Sequence, residues 1–193
     1  MVATLPDFYI RKVSLDDLKY AQQAADIFNA AYGVNNHGWA SVKKIVNNYY
    51  TTKEEIENYI RESVAGNLIQ LFLFERDAQG NDKAVAGTLT IESKCGCSDG
   101  DLPEGDGMLG RFSVDLSYHS KGLGRQLMQV GLDEMKKANY SVCSILVFEN
   151  RTELIQWYKK LGFVDTMERS PFHPPEGTTI IDSVPFALLK KKL

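Results

Sequence analysis

The sequence predicts a mixed α/β (α+β) domain, a central sheet with helices on both faces. Three observations predict it. Short segments that alternate apolar and polar residues, or run apolar throughout, read as strands. Longer segments with apolar residues at i, i+3, i+4 and i+7 read as amphipathic helices. The order of these segments is β-α-α-β-β-β-α-β-α-β-β. Strand–helix–strand units do not dominate its first half, which excludes a doubly wound sheet.

The elements follow in order. Phe8 to Val13 is a strand. Ser14-Leu15-Asp16-Asp17 starts a helix, with an acid three residues after the serine, and Leu18, Ala21, Ala25 and Phe28 carry it to about Tyr32. Gly33 to Gly38 is a loop. A second helix starts at Thr52-Lys53-Glu54-Glu55, shows Ile56, Tyr59, Ile60 and Val64 on one face, and stops at Gly66-Asn67. Ile69 to Phe74 and Ala84 to Glu92 are strands joined by a short polar link, hence an antiparallel hairpin. Residues 94–107, rich in Gly, Asp and Ser, form a loop, and Met108 to Leu116 is the next strand. A helix from Gly122 carries Leu127, Met128, Leu132, Met135 and Ala138. Val142 to Phe148 is a nearly continuous apolar run, broken only by Ser144, as a strand buried on both faces would be. Thr152 to Leu161 is a short helix closed by Gly162. Phe163 to Met167 and Val184 to Leu189 are the last strands, with a proline-rich loop between them.

The 193 residues fit a single domain, 1–193, long enough to bury a core without staples. A hydrophobic fraction of 44% and a charged fraction of 24% exclude a largely disordered chain. No apolar run approaches the ~18–20 residues of a membrane span. Met1 to Asp7 lacks the basic-then-apolar pattern of a secretory signal, so a cytoplasmic address is expected, with no membrane partner. A net charge of −3 argues against nucleic acid as a partner. Lys190-Lys191-Lys192 reads as a solvated end. Cys95, Cys97 and Cys143 are an odd set in a chain without a signal, so no disulfide framework is expected. Cys95-Gly96-Cys97 lacks the C-x-x-C spacing of a metal or redox site, and Cys143 reads as a buried small hydrophobe. The acidic run Asp99 to Asp106 lacks the spacing of a calcium loop, and no metal is expected.

The chemistry is concentrated in Leu109 to Met128. A strand ends, the turn Tyr118-His119-Ser120-Lys121-Gly122-Leu123-Gly124-Arg125 follows, and a helix begins. The first N–H groups of a helix lack internal partners and carry the positive end of its dipole. Gly122 and Gly124 let main chain approach an anion, and Lys121 and Arg125 add charge. This is a phosphate-binding design, although neither a Walker loop nor a dinucleotide fingerprint is present.

One strand later comes Phe148-Glu149-Asn150-Arg151-Thr152-Glu153-Leu154-Ile155-Gln156-Trp157-Tyr158-Lys159-Lys160-Leu161-Gly162-Phe163. Together the two segments resemble the GNAT superfamily of N-acetyltransferases. The first is similar to its acyl-CoA loop, Gln/Arg-x-x-Gly-x-Gly/Ala, and the second to its Asn … Tyr … Gly-Phe unit. Two positions depart from the pattern: His119 stands at the Gln/Arg position, and Asn150 and Tyr158 are eight apart rather than seven. The resemblance covers about residues 108–168.

The resemblance implies a mostly antiparallel central sheet of six to seven strands flanked by helices, with a splayed parallel strand pair. It implies acetyl-CoA as cosubstrate, held in the cleft between strands ending near Leu116 and Phe148. The pantetheine arm is expected on the backbone of Phe112, Ser113 and Val114. The diphosphate is expected around His119, Ser120, Lys121, Gly122, Leu123, Gly124 and Arg125, with Asn150 a further cofactor contact or a helix cap. Tyr158 is the implied general acid toward the departing thiol, since phenol (pKa about 10) and thiol (about 8.5) can share a proton; its spacing equally suits a core position. Trp157 is expected in the core or lining a pocket. The Val114 N–H is the implied oxyanion donor.

A base must neutralise the incoming amine. Glu92, ending a strand on the expected substrate side, is the first candidate, followed by Glu149 and Asp115; His119 and His173 titrate conveniently. The expected acceptor is a primary amine of a small molecule, with the net acidity and the acidic loop drawing a cationic amine such as a polyamine, an aminoglycoside or an amino-acid derivative. The alternatives are a protein N-terminus or lysine, with residues 33–51 and 170–183 as groove walls, and a non-catalytic acyl-CoA-binding module. A monomer or homodimer is expected.

Overall fold

The computed structural model describes residues 7–32, 46–47, 51–93, 102–173, 179–180 and 182–193, with main chain alone at 46–47 and 179–180. The strands are β1 (Phe8–Lys12), β2 (Val46–Asn47), β3 (Ile69–Arg76), β4 (Asp82–Glu92), β5 (Asp106–Val114), β6 (Val142–Phe148), β7 (Val164–Ser170), β8 (Thr179–Ile180) and β9 (Phe186–Lys192). The helices are α1 (Ala21–Tyr32), α2 (Lys53–Ala65), α3 (Leu123–Lys137) and α4 (Thr152–Lys160). Seven strands form one sheet in the order β1-β3-β4-β5-β6-β9-β7, and β2 pairs with β8 in a separate ribbon. All neighbours in the sheet are antiparallel except β5 and β6.

Strand alternation divides the interior. Phe72 and Phe74 of β3 point to one face and pack with Ala24, Ile56 and Ile60 of α1 and α2. Leu71 and Leu73 point to the other and join Leu127, Met128 and Met135 of α3. Truncating a buried phenylalanine such as Phe72 to Ala costs about 3–5 kcal/mol by lost transfer energy and cavity.

The start and stop signals act locally. Thr52 caps α2, accepting from the Glu55 N–H at 3.2 Å while the Glu55 carboxylate accepts from the Thr52 N–H, and Gly66 ends the helix at φ 86°. The segment after Ser14 departs from expectation, because a 3-10 helix over Leu15–Tyr20 precedes α1. Asp17 accepts from the Ser14 N–H (2.7 Å) and from both terminal nitrogens of Arg11 in β1 (2.7 and 2.9 Å). These bonds hold the first turn against the strand, and the tighter helix fits there.

The last two strands of the sheet are corrected at both ends. The strand expected over Phe163 to Met167 is Val164–Ser170, and Phe163 is buried in the core instead. The last strand starts at Phe186 rather than Val184 and runs through the three lysines expected to be a solvated end. Its main chain pairs with β6 from Phe148↔Phe186 to Val142↔Lys192. Lys190 Nζ reaches Asp106 (2.9 Å), and Lys191 Nζ donates to the Leu161 carbonyl (2.7 Å). Three like charges in a row hide a period-two pattern, so only the pairing reveals it. The β2–β8 ribbon is too short to show any period; it joins the two segments expected to wall a groove. Cys95, Cys97, the 33–38 loop and Asp99 to Asp101 lie outside the described residues. Cys143 is fully buried, and burial pushes its thiol up to about 12.

Two irregularities of β5 position the site. It pairs with β6 only over Asp106↔Val142, Gly107↔Cys143 and Met108↔Ser144; beyond Met108 the two strands diverge. Against β4, Thr90 pairs with Gly110 and Thr88 with Ser113, so Arg111 and Phe112 together oppose Leu89. This is a β-bulge, with Arg111 at φ 46°.

Candidate active site

The first cavity, about 610 Å³, opens between diverging β5 and the start of α3. Gly122 is the N-cap of α3, at φ 77°, a left-handed conformation that costs a side-chain-bearing residue about 1–2 kcal/mol. No side chain caps this 15-residue helix, and its first internal bond is Gln126 N–H to the Gly122 carbonyl at 3.2 Å. The N–H groups of Leu123, Gly124 and Arg125 precede that bond and have no partner within the helix. All three residues line the cavity with Gly122 and Ser120. A Cβ on Gly124 would meet Phe112 Cζ at 3.5 Å and Val114 Cγ2 at 3.9 Å. Packing therefore tolerates a methyl there, but a large side chain would fill the cavity.

The strand wall of the cavity is Phe112, Ser113 and Val114. Asp115 N–H donates to the Ala86 carbonyl at 2.9 Å, and Val114 stands opposite Gly87. Antiparallel ladders alternate bonded and non-bonded pairs, so the Val114 N–H and C=O are directed away from β4. They face the side from which β6 has diverged. His119 Nε2 lies 3.3 Å from the Val114 carbonyl oxygen, and Tyr32 OH donates to the Phe112 carbonyl at 3.1 Å. Ser113 Oγ is buried without a hydrogen-bond partner, which costs about 1–3 kcal/mol unless a ligand satisfies it. An uncapped helix start, an open strand edge and an unsatisfied hydroxyl suit an extended thioester ending in a diphosphate.

Below the turn, Tyr118 OH donates to Glu75 at 2.5 Å, and Lys83 Nζ donates to the same carboxylate at 2.8 Å. Lys83 and Tyr118 hold the Glu75 carboxyl below its ordinary range; in return Glu75 pushes the Tyr118 phenol up to about 12. Lys121 is exposed, with its Nζ 4.9 Å above the Tyr118 ring, and Asn150 is exposed in the turn before α4. Neither lines this cavity or the second one described below, and the cap position of α4 falls to Arg151 rather than Asn150.

A second cavity of about 280 Å³ lies beyond the bulge. It shares Tyr32, Phe112, Leu154 and Tyr158 with the first, so the two spaces meet at these side chains. Tyr158 is buried, edge-on to Trp157 (5.0 Å) and Phe163 (5.6 Å), and Trp157 stacks on Phe112 at 5.8 Å. Burial raises the Tyr158 hydroxyl well above the usual phenol value, so it holds its proton at neutral pH. Trp157 lines the first cavity.

Glu92 lines the second cavity, half-buried at the end of β4. Burial raises its carboxyl, opposed by the charge of Arg111 and a hydrogen bond from Tyr59. Burial likewise raises the Tyr59 phenol. The Arg111 guanidinium carbon sits 4.2 Å from the Tyr59 ring centroid and 5.6 Å from that of Phe28. The other base candidates stand apart. Glu149 is paired with Arg169 at 2.7 Å, and Asp115 accepts from Ser117 N–H and Oγ at 2.8 and 2.6 Å. Neither lines either of these two cavities, whereas His119 lines the first and His173 lines the second.

Sequence reasoning missed Tyr32, Tyr59, Arg111 and Arg151. Only Arg111 carried a signal, as the one charge inside the otherwise apolar and small run Met108 to Val114. Among the described residues, no cluster of His, Cys, Asp or Glu could hold a metal, and no helix is long and apolar enough to cross a membrane.

A candidate acetyltransferase from Acinetobacter baylyi superposes with a TM-score of 0.72 at 15% identity, covering 98% of this chain and 95% of that one. A Salmonella typhimurium protein, yncA, solved with its cofactor acetyl-CoA, gives 0.67 at 16% identity, over 96% and 94%. The ribosomal-protein-S18-alanine N-acetyltransferase of Escherichia coli gives 0.62 at 14% identity, over 96% and 94%. These likenesses are of fold. No curated protein matches the sequence. The model of the Acetyltransferase (GNAT) family matches residues 39–163, well over half of the chain. The chain belongs to the GNAT family of acetyltransferases.

Proposed function

We propose that the protein moves the acetyl group of acetyl-CoA to a primary amine of a small molecule, by direct attack in a ternary complex. The observation that carries this reading is the meeting of two cavities at Tyr158 and Phe112, one walled by main-chain donors and the other by side chains. Acetyl-CoA supplies an activated thioester, so much of the acceleration can come from positioning. The amides of Leu123, Gly124 and Arg125 hold its diphosphate, and the open edge of Phe112 and Val114 holds its pantetheine arm. The Val114 N–H donates to the thioester oxygen as charge gathers there.

Glu92 accepts a proton from the incoming ammonium, leaving nitrogen with a free pair. A carbon–nitrogen bond then forms as the carbon–sulfur bond breaks. Tyr158 gives its proton to the departing sulfur and regains one released from nitrogen. The balance is amine plus thioester to amide plus thiol. The raised Glu92 pKa makes it a stronger base than an ordinary carboxylate, and the raised Tyr158 pKa keeps its proton available.

A second cavity of about 280 Å³ is the size of a small molecule rather than a polypeptide segment, which favours a small acceptor over a protein. Glu92 and Tyr158 both line it, which counts against a non-catalytic module. Thiol release from acetyl-CoA across an amine panel tests the reading. Release with one or more small amines is expected; release with peptides alone would overturn the small-molecule assignment.

A further inference from the structure

We infer that Lys191 is a positioning residue for Tyr158: its ammonium group closes the end of α4 and so fixes where the phenol hydroxyl stands at the junction of the two cavities. This rests on the acetyltransferase reading above and deepens it. The argument starts from the run Lys190-Lys191-Lys192, which the mechanism leaves unused. Strand alternation sends successive side chains of β9 to opposite faces. Lys190 reaches Asp106 on one face, at the end of the cleft where β5 and β6 are still paired. Lys191 continues the series Ala187 and Leu189, stands opposite Cys143, and so faces the core that holds Tyr158. It is half-buried, and its Nζ donates to the Leu161 carbonyl at 2.7 Å.

Leu161 is the C-cap of α4, a nine-residue helix whose start no side chain caps. A helix this short draws its order from tertiary contacts rather than from its own propensity. Its last carbonyls lack internal partners and carry the negative end of the dipole, which a cation answers. The cap is built on Tyr158 itself. The Tyr158 carbonyl accepts from the Leu161 N–H at 2.9 Å and from the Phe163 N–H at 3.2 Å, and the Phe163 ring packs edge-on against the Tyr158 ring. Main chain and ring of Tyr158 are both fastened to the segment that Lys191 holds. Gly162 completes the arrangement: it takes φ 89°, and a Cβ there would lie 2.6 Å from Lys191 Nζ, too close for both to stay in place. The turn and the ammonium together call for a glycine. A reacting group about 1 Å out of place can cost on the order of 10²-fold in rate, so drift of the helix end disables Tyr158 without unfolding the protein.

The test is a double-substitution cycle on the purified full chain. It reads thiol release from acetyl-CoA with the fastest amine of a panel that includes spermidine, phenylethylamine and leucine amide. Lys191→Met should lower kcat about tenfold with the KM for acetyl-CoA held within about twofold, and Lys191→Arg, which keeps a charged donor, should recover most of the loss. In a Tyr158→Phe background Lys191→Met should cost less than about twofold, because the hydroxyl it positions is gone. A merely structural lysine would cost the same factor in both backgrounds. Lys190→Met removes the same charge from the same strand and should behave in that additive way. If Lys191→Met does not fold by circular dichroism, Gly162→Ala displaces the ammonium from the other side and should show the same dependence on Tyr158. Equal losses in the two backgrounds, no loss at all, or the same dependence from Lys190→Met would overturn the inference while leaving the transferase standing. Unchanged turnover in Tyr158→Phe would remove Tyr158 from the proton path and the inference with it. Absence of acetyl-CoA binding, or of thiol release with every amine, would instead overturn the reading beneath both.

Discussion

Around the first cavity the groups that face the open space are mostly main-chain: the start of α3 and the free edge of β5. Around the second they are side chains, Glu92, Tyr59, Arg111, Arg151 and His173, drawn from α2, β4, β5 and the segments before α4 and after β7. A main-chain wall recognises what is common to every acyl-CoA, a diphosphate and an extended amide-bearing arm, and side-chain identity matters little provided glycines leave room. A side-chain wall recognises one acceptor and changes with each substitution. The two meet at Tyr158, whose ring is locked by Trp157 and Phe163. The contrast predicts that damage to the first wall requires bulk, whereas damage to the second requires only a change of charge.

The largest effect is expected from Gly124→Trp. Filling the main-chain wall should weaken acetyl-CoA binding more than ~100-fold by calorimetry, with circular dichroism unchanged. Retained affinity would move the diphosphate elsewhere. Next, Tyr158→Phe should lower turnover about 10²-fold with acetyl-CoA affinity held within about twofold, since only the hydroxyl is removed. Equal turnover would take Tyr158 out of the proton path.

Glu92→Gln should lower kcat/KM by about tenfold or more and alter the pH profile. In the native protein the rate should climb as pH rises through the Glu92 pKa, because the charged form is the base, and burial sets that midpoint above the ordinary carboxylate value. The limb should vanish in the Gln variant, and its persistence would point to another base. A smaller effect is expected from Tyr118→Phe. It releases the turn from Glu75 and should raise the KM for acetyl-CoA a few-fold while lowering stability by about 1 kcal/mol.

The smallest effect reports on the frame rather than the walls. Burial alone would raise the Asp17 carboxyl, but Arg11 and the Ser14 N–H hold it below the ordinary aspartate value. Its contribution is therefore fully present above that ordinary value and is lost as pH falls through the lower, folded-state pKa. Acid unfolding of Asp17→Asn should show a shallower pH dependence in that window than the native chain; equal slopes would remove the Arg11–Asp17 pair from the acid response.

Most of the sheet and the first wall were legible because each rests on local chemistry. Val142 to Phe148 matches β6 end to end because a strand covered on both faces is drawn largely from apolar residues, here all but Ser144. Thr52, Glu55 and Gly66 bound α2 because capping satisfies the orphan groups of its own ends. Gly122 and Gly124 announced an exposed helix start for the same reason. The second wall was not legible, apart from Glu92. Tyr59 and Arg111 are 52 positions apart in the chain and meet only because β5 gains a residue against β4.

By itself, then, the sequence determined most of the segments that become strands and helices, and where main chain is left open at the Gly122 turn. Tertiary structure decided that β5 parts from β6 after Met108, that Arg111 crosses to the α2 side, and that the lysines at 190–192 pair as strand. The physical reason is range. Capping, turn conformation and amphipathic period act over a few residues and leave a mark in the sequence. Strand register and the bulge that shifts it are set by contacts between distant segments, where one inserted residue reverses the face of every side chain that follows.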